Sequence, residues 1–157
     1  MKFTRRELSK RLRRATKILH KLGYNVEASL EELLEHLSAP QVHGIDIGVI
    51  LSNDYLLARE ILVMDWLREH GIELTKLGYL LNQKIVLKGF IEVTYDLVEK
   101  LCSEDNLECI HLLTSIEHLI EDDKLPPEFR DKLIELYNKY YNQVLSRVSG
   151  IPLLIEV

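Results

Sequence analysis

The apolar residues of this chain recur at steps of three and four along most of its length, which is the period of an α-helix. The first helix is predicted from about residue 4 to residue 22, because Thr4 and Glu7 form a capping box and Gly23 supplies a stop. Its apolar side chains make one narrow seam that can dock on a core: Leu8, Leu12, Ala15, Leu19 and Leu22.

A second capping box, Ser29 with Glu32, opens a short helix. The segment 54–70 is apolar on nearly all sides, which is typical of a helix in the centre of a core. Gly78 and Gly89 mark points where the chain can bend or approach another helix closely. Three more helical segments follow the central one: about 74–101, 107–121 and 127–147.

Two segments lack a clear helical period. Residues 41–53 fit either a turn of helix or a short strand at 45–51, and residues 151–157 form an apolar tail. We expect the tail to be held on the body or on a partner, because a free apolar terminus would expose hydrophobic surface. The sequence therefore predicts one all-α domain over residues 1–157, with five or six helices around 54–70 and at most a minor strand.

Charge is divided unevenly along the chain. Residues 2–21 hold nine of the twenty lysines and arginines with one acidic residue, whereas residues 22–157 hold the other eleven with twenty-four acidic residues. A basic N-terminal helix (4–22) is thus joined to an acidic helical body (28–147). This asymmetry is the strongest functional signal in the sequence.

The bulk properties narrow the class of protein. A chain of 157 residues that is 46% apolar can bury one core, and its net charge of −5 favours solubility. No apolar run approaches the roughly 20 residues that cross a bilayer, and no secretory signal is present, so we expect a cytoplasmic protein without a membrane partner. Cys102 and Cys109 form no CxxC pair, and both are expected to be reduced thiols in the core or at its boundary.

The basic helix predicts binding to an anionic partner. Arginine dominates the set, and its planar guanidinium binds phosphate with two hydrogen bonds. The partner would be nucleic acid or an acidic protein surface; alternatively the acidic body neutralises these charges, or water solvates them. The predicted polyanion-binding residues are Arg5, Arg6, Lys10, Arg11, Arg13, Arg14 and Lys17.

Glu60 is the second candidate. Its helical neighbours are all apolar: Leu56, Val63, Met64 and Leu67. A carboxylate among apolar neighbours needs a partner or a proton, because burial raises its pKa. A raised pKa is typical of a general acid or base, and a carboxylate beside a cation can be a metal ligand. The alternative is a structural ion pair with an arginine or lysine of a facing helix.

A weaker candidate is a polar strip on the helix predicted at 107–121. Glu108 and His111 have the spacing that carboxylate metal proteins use, but those proteins need two such motifs, and this chain has one. Apolar residues occupy the opposite face, so the strip is expected to face water. Its members are Glu108, His111, Ser115, His118 and Asp122.

The leading hypothesis is a non-enzymatic binding protein that engages nucleic acid or another polyanion through its first helix. One alternative is an enzyme or metal-binding protein centred on Glu60. Another is a homodimer held by the apolar tail and by Tyr137, Tyr140 and Tyr141. No sequence motif indicates a cofactor.

Overall fold

The computed structural model describes residues 3–38, 47–103, 109–122 and 125–149. These residues form helices without a strand, so the all-α prediction is confirmed. The described part contains eight helices, more than the five or six predicted: α1 Arg5–Lys21, α2 Leu30–Ser38, α3 Ile47–Ser52, α4 Asp54–Glu69, α5 Lys76–Leu81, α6 Gln83–Ser103, α7 Cys109–Ile120 and α8 Pro127–Ser149.

Helix α1 begins and docks as its sequence predicts. The Thr4 hydroxyl accepts from the Glu7 backbone N–H at 3.1 Å, and the Thr4 N–H donates to the Glu7 carboxylate at 2.9 Å. After α1, Gly23 adopts a φ of 97°, a left-handed conformation that favours glycine. The seam residues Leu8, Leu12, Ala15 and Leu19 are buried, and α1 packs against α4.

Helix α4 is the centre of the fold. Every residue from 56 to 64 is buried, because α1, α2, α3, α6 and α7 all contact this helix. The buried apolar side chains of the eight described helices form one cluster around it. The predicted role of 54–70 as the central helix is therefore confirmed.

The two extra helices arise where the sequence was ambiguous. Residues 47–52 fold as α3, so the strand alternative is wrong for 47–51; residues 39–46 and the tail 151–157 lie outside the described part. The segment predicted at 74–101 divides at Asn82 instead of at Gly78. The Asn82 side chain donates to the Gly78 carbonyl at 2.7 Å and ends α5, and α6 begins at the next residue.

The two cysteines form a disulfide, so the prediction of reduced thiols is wrong. Cys102 lies in the last turn of α6 and Cys109 is the first residue of α7, and their Cα atoms are 5.6 Å apart. Two cysteines seven positions apart on one continuous helix would not meet; these meet because one helix ends and another begins between them.

None of the helices in the described ranges has both the length and the apolar content needed to cross a membrane.

Candidate functional sites

Four basic residues form a row along the solvent side of α1, which we call the cationic stripe: Arg6, Lys10, Arg13 and Lys17. All four side chains are exposed. At 100° per residue they lie within about 60° of one another, on the side of the helix opposite the buried seam, and they span about 17 Å along its axis. The stripe is a consequence of the seam, since a helix that buries one side must present the other to water.

The acidic body neutralises the flanks of α1 but leaves the stripe open. Arg5 pairs with Glu31, and the Arg14 guanidinium lies 3.1 Å from the Asp54 carboxylate. The hydrogen bond from Arg5 lowers the pKa of Glu31. Within the part of the chain that the structure describes, no carboxylate oxygen lies within 4.0 Å of a stripe nitrogen.

Arg11, the remaining arginine of the predicted set, is half-buried. Its guanidinium lies over the Phe3 ring at 5.0 Å from the centroid, a cation–π contact that holds the side chain against the protein. The seven predicted residues therefore divide into four stripe residues and three with partners in the same chain: Arg5, Arg11 and Arg14.

A groove of about 600 Å³ runs beside the stripe. Lys10, Arg13 and Lys17 line it, together with His20 and the segment 27–28. The His20 ring nitrogen Nε2 donates to the Val26 carbonyl at 3.0 Å, which fixes the ring at the end of the groove. Among the described lining residues Glu27 is the one carboxylate, so the groove is positively charged.

A smaller groove of about 280 Å³ has the opposite charge. Tyr24 and Trp66 lie in its wall, and the Tyr24 hydroxyl donates to the Asp96 carboxylate. Its four acidic side chains would repel a polyanion, so an anionic partner is directed to α1: Asp65, Glu69, Glu92 and Asp96.

Glu60 belongs to a chain of buried polar side chains. His36 Nε2 lies 2.7 Å from Glu60 Oε1, and His36 Nδ1 lies 2.6 Å from the Tyr79 hydroxyl. On the other side, Arg59 donates to Glu60 Oε2 at 3.3 Å and to the Ser115 hydroxyl at 2.7 Å. Four helices thus contribute to one network: α2, α4, α5 and α7.

Burial dominates the electrostatics of this network. Loss of water lowers the pKa of Arg59, an effect that the Glu60 carboxylate opposes. Burial, with a further contribution from Glu60, raises the pKa of Tyr79. The Arg59 guanidinium also lies over the Phe90 ring, 4.5 Å from its centroid. The cation and the carboxylate thus compensate each other inside the core.

The arrangement favours the structural interpretation of Glu60. His36, Arg59, Glu60 and Ser115 are fully buried, Tyr79 is 1% exposed, and neither groove described above is lined by these side chains. Among the described residues, Glu60 pairs with the adjacent Arg59 and with His36 of the facing helix α2. An enzyme centred on Glu60 stays an untested prediction.

The residues of the predicted polar strip on α7 differ in their exposure to water. Ser115 is fully buried against Arg59, so its predicted exposure is wrong, whereas His118 is exposed and His111 is half-buried. Glu108 lies outside the described residues. Within the described ranges, no group of three or more His, Cys, Asp or Glu side chains is placed to hold a metal ion.

The tyrosines of the predicted dimer contact make contacts within the chain. Tyr140 is buried in the core, Tyr137 stacks on Tyr141 with ring centroids 4.7 Å apart, and the Tyr137 hydroxyl donates to Glu117 at 2.7 Å. A dimer held by these rings would have to replace those contacts. The homodimer stays an untested prediction.

Sequence reasoning missed most of the buried network. His36 follows the apolar period of α2, between the buried Leu33 and Leu37, and that position was its one available signal. Arg59 was hidden by its position, because it lies beside Glu60 in a helix that is apolar on all sides.

No known protein family, curated protein or solved structure is significantly similar to this chain.

Proposed function

We propose that this protein binds nucleic acid through the cationic stripe of α1, in contact with the phosphate backbone. The observation that carries the proposal is that the stripe lies opposite the buried seam and that no carboxylate oxygen of the described residues lies within 4.0 Å of its nitrogens, whereas the flanking Arg5 and Arg14 are paired. Four open cations in one row attract a linear polyanion more strongly than a small anion, which one or two of them would satisfy.

The dimensions of the stripe suit a phosphate backbone. Its length of about 17 Å matches about five nucleotides of one strand at 3.4 Å each. The stripe carries no aromatic side chain, so base stacking makes no contribution. We therefore expect binding that depends on salt and hardly on sequence, since phosphate contacts carry no sequence information.

The direct test neutralises the stripe. The variant Arg6→Gln/Lys10→Gln/Arg13→Gln/Lys17→Gln should bind a fluorescent 20-nucleotide DNA at least tenfold more weakly than the parent in 50 mM salt by fluorescence anisotropy. A matched control removes the same charge from α6 and α8 and should bind within about twofold of the parent: Lys84→Gln/Lys88→Gln/Lys132→Gln/Lys139→Gln.

Circular dichroism of each variant verifies that the domain stays folded. Equal binding by the stripe variant and the parent would refute the proposal, and so would the absence of measurable binding by the parent at low salt. Equal weakening by the control would show that net charge, and not the stripe, determines affinity.

A further inference from the structure

A second surface of the molecule is both apolar and basic. Four apolar side chains stand out from the junction of α5 and α6, with 63% of Leu77, 53% of Leu80, 72% of Leu81 and 42% of Ile85 exposed. We call them, together with the exposed Lys76, Lys84 and Lys88, the apolar lysine patch. Exposed apolar groups of this size that polar residues surround mark an interaction site.

The charge of the patch differs from that of its surroundings. Residues 74–91 contain three lysines and no acidic residue, although residues 22–157 carry more than twice as many acidic as basic residues. Lys88 lies 3.8 Å from Glu92, and the Lys76 backbone N–H donates to the Glu35 carboxylate at 3.2 Å. No carboxylate oxygen of the described residues lies within 4.0 Å of the Lys76 or Lys84 ammonium group. The patch is therefore a local basic surface on an acidic body.

We propose that the apolar lysine patch docks the protein on an anionic lipid surface, a function separate from the nucleic-acid binding of α1. The leucines would insert at the boundary between head groups and acyl chains, and the lysines would contact the anionic head groups. No helix needs to cross the bilayer for this, in keeping with the absence of a spanning helix among the described residues.

Two other occupants fit less well. An amphipathic helix of a protein partner packs into a concave groove, whereas Leu77 and Leu81 project with more than half of their surface in water. A second copy in a two-fold contact would bring its own lysines to the same rim, where the carboxylates of Glu35 and Glu92 already bind the Lys76 backbone and Lys88 of the same chain. Charge complementarity therefore selects an anionic partner, and the projecting leucines select a lipid interface.

The test is co-sedimentation of the full chain with vesicles. Wild type should bind vesicles of phosphatidylcholine with 30% phosphatidylserine and should bind neutral phosphatidylcholine vesicles at least tenfold more weakly, because each lysine near an anionic surface strengthens binding about fivefold. Leu77→Ser/Leu81→Ser should lower binding at least tenfold, because both side chains leave water on insertion. The matched control Ile47→Ser/Val49→Ser, which alters two exposed apolar residues of α3, should bind as wild type.

Because α1 is also basic, the stripe variant is measured as well. Leu77→Ser/Leu81→Ser should still weaken vesicle binding in the stripe-neutralised background, which separates the patch from the proposed function of α1. The proposal would be overturned if the stripe-neutralised variant lost vesicle binding and Leu77→Ser/Leu81→Ser bound vesicles as wild type does. Binding of a labelled acidic amphipathic peptide without any vesicle binding would also overturn it, in favour of a protein partner.

Discussion

His36 on α2 and Glu60 on α4 form a fully buried contact, with His36 Nε2 2.7 Å from Glu60 Oε1. The carboxylate also faces Arg59 at 3.3 Å, so two nitrogens of the described residues contact it inside the core. A buried charge is tolerated when such partners compensate it, and it becomes costly when one of them is removed.

Replacing Glu60 should therefore destabilise the protein. Glu60→Gln removes a carboxylate charge that faces the buried guanidinium of Arg59, and we expect a loss of about 3 kcal/mol in the free energy of unfolding. Chemical denaturation at pH 7 measures it. Glu69→Gln, an exposed change on the same helix, serves as the control and should stay within about 0.5 kcal/mol of wild type. A Glu60→Gln variant as stable as the parent would contradict the structural role.

Gly89 packs against Trp66, so replacing this glycine with alanine should destabilise the protein although alanine usually stabilises a helix. A Cβ at position 89 would lie 2.4 Å from Trp66 Cε3, so the indole of α4 or the backbone of α6 would have to move. Gly89→Ala should cost about 1 to 3 kcal/mol of unfolding free energy through overpacking, although Gly to Ala in a helix ordinarily stabilises by about 0.5–1 kcal/mol.

Without the indole, Gly89→Ala should no longer lower the free energy of unfolding. In a Trp66→Leu background the added methyl group has room, so Gly89→Ala should become neutral or stabilising. Thermal unfolding of the four proteins of this double-mutant cycle measures the effect. The same destabilisation in both backgrounds would show that the indole does not set the distance between α4 and α6.

The disulfide between Cys102 and Cys109 should contribute to stability. Closing a loop with a sequence separation of seven restricts the unfolded chain by about 2 to 2.5 kcal/mol in the chain-entropy model. Dithiothreitol should lower the unfolding free energy of wild type by that amount and leave Cys102→Ala/Cys109→Ala unchanged. Equal stability of wild type with and without reductant would show that the link contributes nothing.

The capping box of α2 predicts a pH dependence. The Ser29 backbone N–H donates to Glu32 at 3.1 Å and, with Arg68, lowers the pKa of Glu32 below its ordinary 4.5. Because the folded pKa is the lower one, the carboxylate stabilises the protein fully above pH 4.5, and this stabilisation is lost as the pH falls through the folded pKa.

Glu32→Gln should accordingly be less stable than wild type at pH 7, and the difference should shrink towards pH 3. Urea denaturation at both values measures it. Arg68→Gln provides a comparison, since loss of the guanidinium 3.0 Å from Glu32 should reduce the effect of Glu32→Gln. A difference that grows on acidification would contradict a lowered pKa of Glu32 in the folded protein.

The sequence predicted those parts of the fold that depend on local patterns. The capping box at Thr4, the seam of α1 and the all-apolar α4 follow from spacing and chemistry within a few turns, and the structure confirms them. The break at Asn82 could not be predicted, because it depends on a side-chain hydrogen bond to Gly78 that competes with continued helix.

The candidate sites also differ in whether they depend on local patterns or on long-range packing. The basic character of α1 could be recognised from the sequence, because its residues are close in the chain. The division into four stripe residues and three with partners could not, because Arg5 and Arg14 pair with residues far away in the chain. The network around Glu60 could be half recognised: burial of the carboxylate followed from its neighbours, but His36 and Ser115 are 24 and 55 positions away in the chain. Partners at such separations are set by the packing of helices, which one sequence does not specify.

The salt dependence of DNA binding by α1 is the most direct test of the proposed function. If the four stripe residues each neutralise one phosphate, the logarithm of the association constant for duplex DNA should fall with the logarithm of salt concentration with a slope of about −3.6. The stripe-neutralised variant should give a slope near zero, because little electrostatic binding would remain. A parent slope near zero, or the same steep slope in both proteins, would contradict binding through the stripe.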